Sequence, residues 1–394
     1  MPTRFVRVLL GTLACCLTGA VAQAASVRGV TDTEIVIGTV TDLSGVTAVQ
    51  GVNNSDAIRM VFDDVNKKGG INGRKIKYVV EDSQYTVPRA VQAMNKLLNN
   101  DNIFLAIGDG GTPMNDANMP AQFAKNVPNV FPLTAARSMY EPYNRLKFGQ
   151  FASYYDQIRA GLKLFIETKG IQAPCAMYQD TDFGRDVMDG VRDQLAAMNR
   201  KLVAETAHKP TDTDFGASVA KLRDAKCDML VLGTITRDTN QIVGAVNKIG
   251  WKVTMLGQSA IYDSVVAEVP GGANDGLYAM TPALFAYPDD PRPAVRAFAA
   301  TYKQKFGRDP NFAAEVGYGA AGAVIQGLQN AGRDLTVDRF VKGMERIKDY
   351  VDIFGSPPMT FTDKSHHGST HSFLVMVREG RWVQVTPEPI GYGG

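Results

Sequence analysis

The sequence predicts an α/β protein made of two doubly wound, parallel-sheet lobes. Three observations carry that reading. Short β-branched runs alternate with stretches of helical period, the alternation occurs twice along the chain, and Gly- or Pro-bearing loops punctuate it. The length of 394 residues leaves room for about two to three domains of ordinary size and a large buried core.

Residues 34–40 form a β-branched run, followed by a loop containing Gly45. Across 55–67, Ile58, Val61, Phe62 and Val65 recur at i, i+3, i+4 and i+7, one face of a helix. Gly69-Gly70 stops that helix, and Asn72-Gly73 turns the chain into a strand over 75–82. Pro88 opens the next helix, with Val91, Met94 and Leu98 along one side. A strand over 103–108, a helix near 114–125 and a strand over 130–134 complete the first series. The second series begins near residue 150, with strands at 176–179, 202–206, 229–233 and 253–257. Between them run stripes such as Val187, Val191, Leu195 and Met198, which read as core. A strand over 276–280, a helix carrying Val295, Phe298 and Tyr302, and a helix over 318–330 follow. The chain closes with a β-hairpin, 371–377 and 381–385, around Glu379-Gly380. Open α/β sheets bind ligands beyond the carboxyl ends of their strands, so two facing sheets hold a ligand between them and register it by closing.

The N-terminus reads as an export leader. Arg4 and Arg7 precede an apolar run over 8–22 that ends in Ala22-Gln23-Ala24, which sets cleavage after Ala24. The run is shorter than the roughly 20 residues of a membrane span. Thr12-Leu13-Ala14 before Cys15 matches a lipid-attachment site poorly. The mature chain is therefore expected to be exported and soluble, and the resemblance given below implies the periplasm. The formal charge of +2 comes from those two arginines alone, and the remainder balances, which excludes a polybasic nucleic-acid binder. Cys175 and Cys227 each begin an apolar strand-like run; they are either bridged, if the strands are neighbours, or two buried thiols.

Catalytic patterns are missing. There is no Gly-x-Ser-x-Gly elbow, although Ser44 follows the first strand, and no phosphate loop of the Gly-x-x-x-x-Gly-Lys-Ser/Thr type. Asp109-Gly110-Gly111-Thr112 lies between a strand and a helix, but its glycine spacing is wrong for a dinucleotide. Its glycines suit the approach of an anionic or carbonyl group to the helix N-terminus. His366, His367 and His371 lie on an expected turn beside Gly368 and read as surface or structural histidines, not a metal site. No cofactor, metal or catalytic residue is expected.

Ile35-Val36-Ile37-Gly38 through Ser44-Gly45, Asp64-Val65-Asn66-Lys67-Lys68-Gly69-Gly70-Ile71-Asn72-Gly73-Arg74-Lys75-Ile76, Glu81-Asp82, Pro88-Arg89-Ala90 and Asp182-Phe183-Gly184-Arg185 form a set of motifs. Together they closely resemble the leucine/isoleucine/valine-binding protein family of branched-chain amino-acid-type ABC transporters. The resemblance implies a type I periplasmic-binding fold: two lobes, a three-crossover hinge, no catalysis, and delivery of a small molecule to a membrane permease. After the leader at 1–24 it sets one lobe at 25–147 and 276–352 and the other at 148–275 and 353–394. Loop insertions are few, so a monomer is the default expectation, with a dimer through the first lobe left open. The resemblance also carries the ligand carboxylate to the loops at 109–112 and 133–137, with Thr134 as the hydroxyl and Ala135 beside it. Phe183, Tyr154 and Tyr262 would supply aromatic surface, and Ser44 and Thr234 are further candidate contacts.

One departure matters most. Amino-acid binders of this family hold the ligand ammonium with an acid where this chain has Ser259, and Thr234-Ile235-Thr236-Arg237 lacks the usual aromatic pair. A buried ammonium without a counter-charge is costly, so the expectation is an aromatic or other hydrophobic carboxylate without the amine. Arg137 or Arg237 is the candidate cation for it, or else a solvated charge. The alternatives left open are a branched-chain amino acid or amide, and a sensory receptor instead of a transporter component.

Overall fold

The computed structural model describes residues 1–3 and 27–393. The apolar run at 8–22, Cys15 and the cleavage point after Ala24 lie outside the described residues. Among those described, no helix is long and apolar enough to cross a membrane.

The first lobe contains β1 (Glu34–Thr41), α1 (Ala48–Lys67), β2 (Lys75–Asp82), α2 (Val87–Asn99), β3 (Leu105–Ile107), α3 (Thr112–Ala124), β4 (Asn129–Val130) and β5 (Lys147–Phe148). Its strands pair in parallel in the order β2-β1-β3-β4-β5. The second lobe runs through α4 (Tyr154–Lys169), β6 (Pro174–Gln179), α5 (Asp182–Ala197), β7 (Ala204–His208), α6 (Gly216–Asp224) and β8 (Met229–Gly233). It continues through α7 (Thr236–Lys248), β9 (Thr254–Gly257), α8 (Ser264–Ala267) and β10 (Tyr278–Thr281). The hairpin β11 (Phe373–Arg378) and β12 (Arg381–Gln384) adds antiparallel to β10, giving the order β12-β11-β10-β9-β8-β6-β7. Between β10 and β11 the chain returns to the first lobe as α9 (Pro293–Phe306), α10 (Phe312–Ala331) and α11 (Val337–Glu345). Three passages therefore join the lobes: after β5, after β10 and before β11.

Two lobe limits differ from expectation. Residues 278–281 belong to the second sheet, because β10 is the partner that the closing hairpin needs. Residues 353–361 stay with the first lobe, where Met359 and Phe361 are buried among Phe131, Phe148 and Phe340. Helix α1 also starts seven residues before its apolar period does. Its extra turns are held by tertiary bonds: Asn54 Nδ2 donates to Ala313 O (3.0 Å) and Tyr302 Oη to Asn53 Oδ1 (2.6 Å). Helix α10 crosses α1 so closely that a Cβ on Gly317 would lie 2.4 Å from Asn54 O.

Cys175 on β6 and Cys227 just before β8 are joined in a disulfide across neighbouring strands, with Cα atoms 5.8 Å apart. The histidine pair is structural: His366 is buried and His367 half-buried. His366 stacks on Phe148 and bonds Lys147 O (2.8 Å), while His367 stacks on Tyr140. Burial lowers the pKa of both rings.

Candidate ligand-binding cleft

The carboxyl ends of both sheets meet at a cavity of about 750 Å³, its mouth included. The first lobe contributes Gly110, Gly111 and Thr112 after β3 and Leu133, Thr134 and Ala135 after β4. These two loops are fastened together. Leu133 N donates to Asp109 O (2.9 Å), Gly111 N to Leu133 O (3.3 Å), and the Thr112 and Thr134 hydroxyls share a 2.7 Å hydrogen bond. Thr112 opens α3, so its N–H has no intrahelical acceptor and lies at the positive end of the helix. Glycine is required at Gly111, which has φ 81° and whose Cβ would meet Met114 Cε at 2.2 Å. The hydroxyl pair, free N–H and helix end together form a neutral anion cradle.

Aromatic rings enclose the rest. Tyr154 and Phe183 meet edge to face at 5.0 Å, and Tyr262 and Phe312 do so at 5.1 Å. Tyr154 is placed by a Ser153–Asp156 capping box at the start of α4 and by its own N–H, which donates to Ala135 O (2.8 Å). Phe183 is held in the first turn of α5, where Gly184 packs so close to Gln179 O that a Cβ would approach within 1.8 Å. Ser259 is buried and locked by Gln157, which accepts from Ser259 N (2.8 Å) and donates to Ser259 Oγ (3.1 Å).

Nine of the fourteen expected site residues line this cavity: Gly110, Gly111, Thr112, Thr134, Ala135, Tyr154, Phe183, Ser259 and Tyr262. The other five do not, and each is engaged elsewhere. Ser44 Oγ donates to Asp82 (2.6 Å), and Thr234 bonds Thr239 (2.7 Å). Asp109 is buried beneath its loop, accepting from Val40 N (2.8 Å) and Gln122 Nε2 (3.2 Å); burial pushes its carboxyl up to about 7. Arg137 pairs with Asp186 (2.7 Å) and Asp189 (2.6 Å) on α5, lying over the Tyr155 ring. Arg237 bonds Asp238 (2.8 Å) and Pro210 O (2.7 Å). Neither arginine lines the cavity, and among the described residues no Lys or Arg does.

Sequence reasoning missed Thr41, Gln50, Tyr85, Phe312 and Asp263, all of which line it. Thr41 and Tyr85 end or follow β1 and β2, where the strand-end rule already points. Gln50, Phe312 and Asp263 come from helix starts and a turn brought in only by tertiary folding. Asp263 is buried, its carboxylate accepting from Val265 N (3.1 Å) and Asn311 Nδ2 (2.7 Å), and burial pushes it up to about 6.

Two parallel-sheet lobes joined by three passages around a walled cavity define a two-lobed ligand-binding protein. Residues 34–381 match the periplasmic binding protein family, and the chain belongs to it. It is 24% identical to the leucine-specific-binding protein of Salmonella typhimurium over 340 residues, 84% of this chain and 89% of that one. Among solved structures, a substrate-binding periplasmic protein from Ralstonia solanacearum is 26% identical, with TM-score 0.80, covering 89% of this chain and 99% of that one. A fatty acid ABC transporter substrate-binding protein from Thermomonospora curvata is 24% identical, with TM-score 0.82, covering 91% and 92%. The chain is thus a periplasmic binding protein and not an enzyme.

Proposed function

We propose that this protein captures a small hydrophobic carboxylate, with an aromatic acid favoured, and hands it to the permease of an ABC transporter. The carrying observation is the Thr112–Thr134 hydroxyl pair at the start of α3, set in an aromatic cavity, with Ser259 where an amine-holding acid would stand. Neutral donors hold a carboxylate without the cost of desolvating a cation. On this reading the leader is removed after Ala24 and the mature chain works in the periplasm as a monomer. The named relatives bind leucine or fatty acid, so their likeness does not choose between ligands.

Asp263 favours a second reading, a branched-chain amino acid whose ammonium meets this carboxylate four residues beyond Ser259. Thermal unfolding against aromatic acids, aliphatic acids and branched-chain amino acids separates the two. A ligand at 100 times its dissociation constant adds about 2.7 kcal/mol. Shifts with aromatic acids and none with leucine support the first reading; a shift with leucine or valine supports the second and sinks the first.

A further inference from the structure

Two of the three passages between the lobes fasten to the first turns of α10. The first reaches it through Gln150, whose Nε2 donates to Val316 O (3.4 Å). The second reaches it through Ala286, whose N–H donates to Glu315 Oε1 (2.7 Å). The amide just before goes the other way, Phe285 N donating to Tyr262 Oη (2.8 Å) in the second lobe. Neighbouring amides of one passage are thus tied to opposite lobes, and Glu315 makes the tie on the first-lobe side.

Glu315 is 1% exposed, and its Oε2 is buried with no partner among the described residues. The second lobe supplies part of that burial. Tyr262 packs on Phe312 (5.1 Å) and Asp263 accepts from Asn311 (2.7 Å), both at the start of α10 within four residues of Glu315. Parting the lobes withdraws that turn and lets water reach the carboxyl. The groups facing Glu315 do not favour its charge. Asp352, ahead of the third passage, and Asp263 oppose ionisation. Arg292, at the end of the second passage, favours it but is committed to Asp290 (2.9 and 2.7 Å) and Phe354 O (2.6 Å). Tyr262 and Tyr287 are phenols kept neutral by burial, with Glu315 beside them. Burial outweighs the Ala286 N–H and Arg292 and holds the Glu315 carboxyl well above the usual carboxylate range.

We infer that Glu315 is a proton-operated catch on the hinge: it carries a proton while the lobes are closed and releases it when they part. Ligand capture then takes up a proton, whichever compound closes the cleft. Closure is fully favoured at pH values below the open-state range and weakens as pH rises through the closed-state range. Other groups leave the window above pH 7 clear. Asp263, pushed up to about 6 by burial, has ionised by then, and His366 and His367 are neutral because burial lowers both. Asp109 and Asp352 have their hydrogen-bond partners within the first lobe.

The test reads closure in two ways between pH 7 and 8.5. Calorimetric titration with 3-phenylpropanoate and with leucine gives the affinity and, run in both phosphate and Tris, the protons taken up. Single-molecule fluorescence transfer between dyes on Lys77→Cys and Lys221→Cys, exposed positions on opposite lobes, gives the closed fraction without ligand. The expected result is an affinity that falls by up to about tenfold per pH unit with either compound, and uptake of about one proton. The closed fraction should fall likewise. Glu315→Gln keeps an oxygen for Ala286 N and cannot ionise, so it should remove the pH dependence and preserve closure at alkaline pH. An affinity or closed fraction independent of pH with Glu315 in place overturns the inference, and so does an equal slope in Glu315→Gln. If neither compound binds, both ligand readings fail and the ligand-free closed fraction decides this one. Proton uptake and closed fraction are read with Glu315 in place, so misfolding of Glu315→Gln would not rescue the inference.

Discussion

Replacing Asp109 with Asn should make the protein more stable at neutral pH, by an amount that grows with pH. The side chain is 1% exposed, accepts one N–H from Val40 and one from Gln122, and has no cation beside it. Burial therefore raises its pKa from 3.8 to about 7. Between those values the folded state keeps a proton that the unfolded chain has released. The contribution is thus fully present below about pH 4 and lost as pH rises to about 7. Asn carries no such titration. The difference between the two proteins should open at about 1.4 kcal/mol per pH unit from pH 4 to 7, then level off near 4 kcal/mol as an upper figure. Asn fits the site because Gln122 Oε1 is buried without a partner and can accept from the new amide once the Gln122 amide turns over. Urea midpoints of both proteins at pH 4.5, 6 and 8 provide the assay. Midpoints that move in parallel would refute the reasoning. Ligand affinity should not change, since Asp109 does not line the cavity.

Three further outcomes are expected. Thr134→Val and Thr112→Ala should each weaken carboxylate binding about tenfold in calorimetry, and each should also cost the free protein about 1–3 kcal/mol in urea unfolding, because the buried hydroxyl left behind loses its partner. Cys175→Ser with Cys227→Ser opens a bridge between residues 52 apart in sequence. It should cost about 4 kcal/mol in chemical unfolding, reproduced by reducing the unaltered protein. Arg137→Met leaves Asp186, with its side chain 9% exposed, without its cation. Discounted for the partly exposed arginine, the loss should be about 2–3 kcal/mol in urea unfolding.

The alternation of periods made the fold class and most elements legible; β2 and β8, for example, have the expected ends. Period fails where the partners are polar. The first turns of α1 carry Asn53 and Asn54, whose bonds run to α9 and α10 some 250 residues away, so nothing local announces a helix there. β10 lies in the second sheet and not the first because a buried strand has the same pattern in either, and only its pairing with the hairpin decides. The cradle was legible because glycines and a hydroxyl between a strand and a helix have few other uses. The arginines were not, since a carboxylate of the protein satisfies a guanidinium as well as one from a ligand does. Asp186 and Asp238 took those places.

That exchange bears on how the cleft works. With Arg137 and Arg237 neutralised outside the cavity, the carboxylate of the proposed ligand meets hydroxyls and N–H groups, which bind less tenaciously than a buried bidentate arginine. Delivery requires release, so a moderate grip suits a carrier better than a maximal one. Two of the polar bonds between the lobes lie in the cavity wall: Gln50 to Thr236, and Asn311 to Asp263. Each joins an element of the first lobe to one of the second, so each exists only while the lobes are together. A ligand that touches both the Thr112–Thr134 loops of the first lobe and the Tyr262 wall of the second makes its full set of contacts in the closed arrangement alone, which is the differential affinity that shifts a population toward closure. A bound ligand should therefore lower the radius of gyration in small-angle scattering, and an unchanged radius at saturation would refute closure.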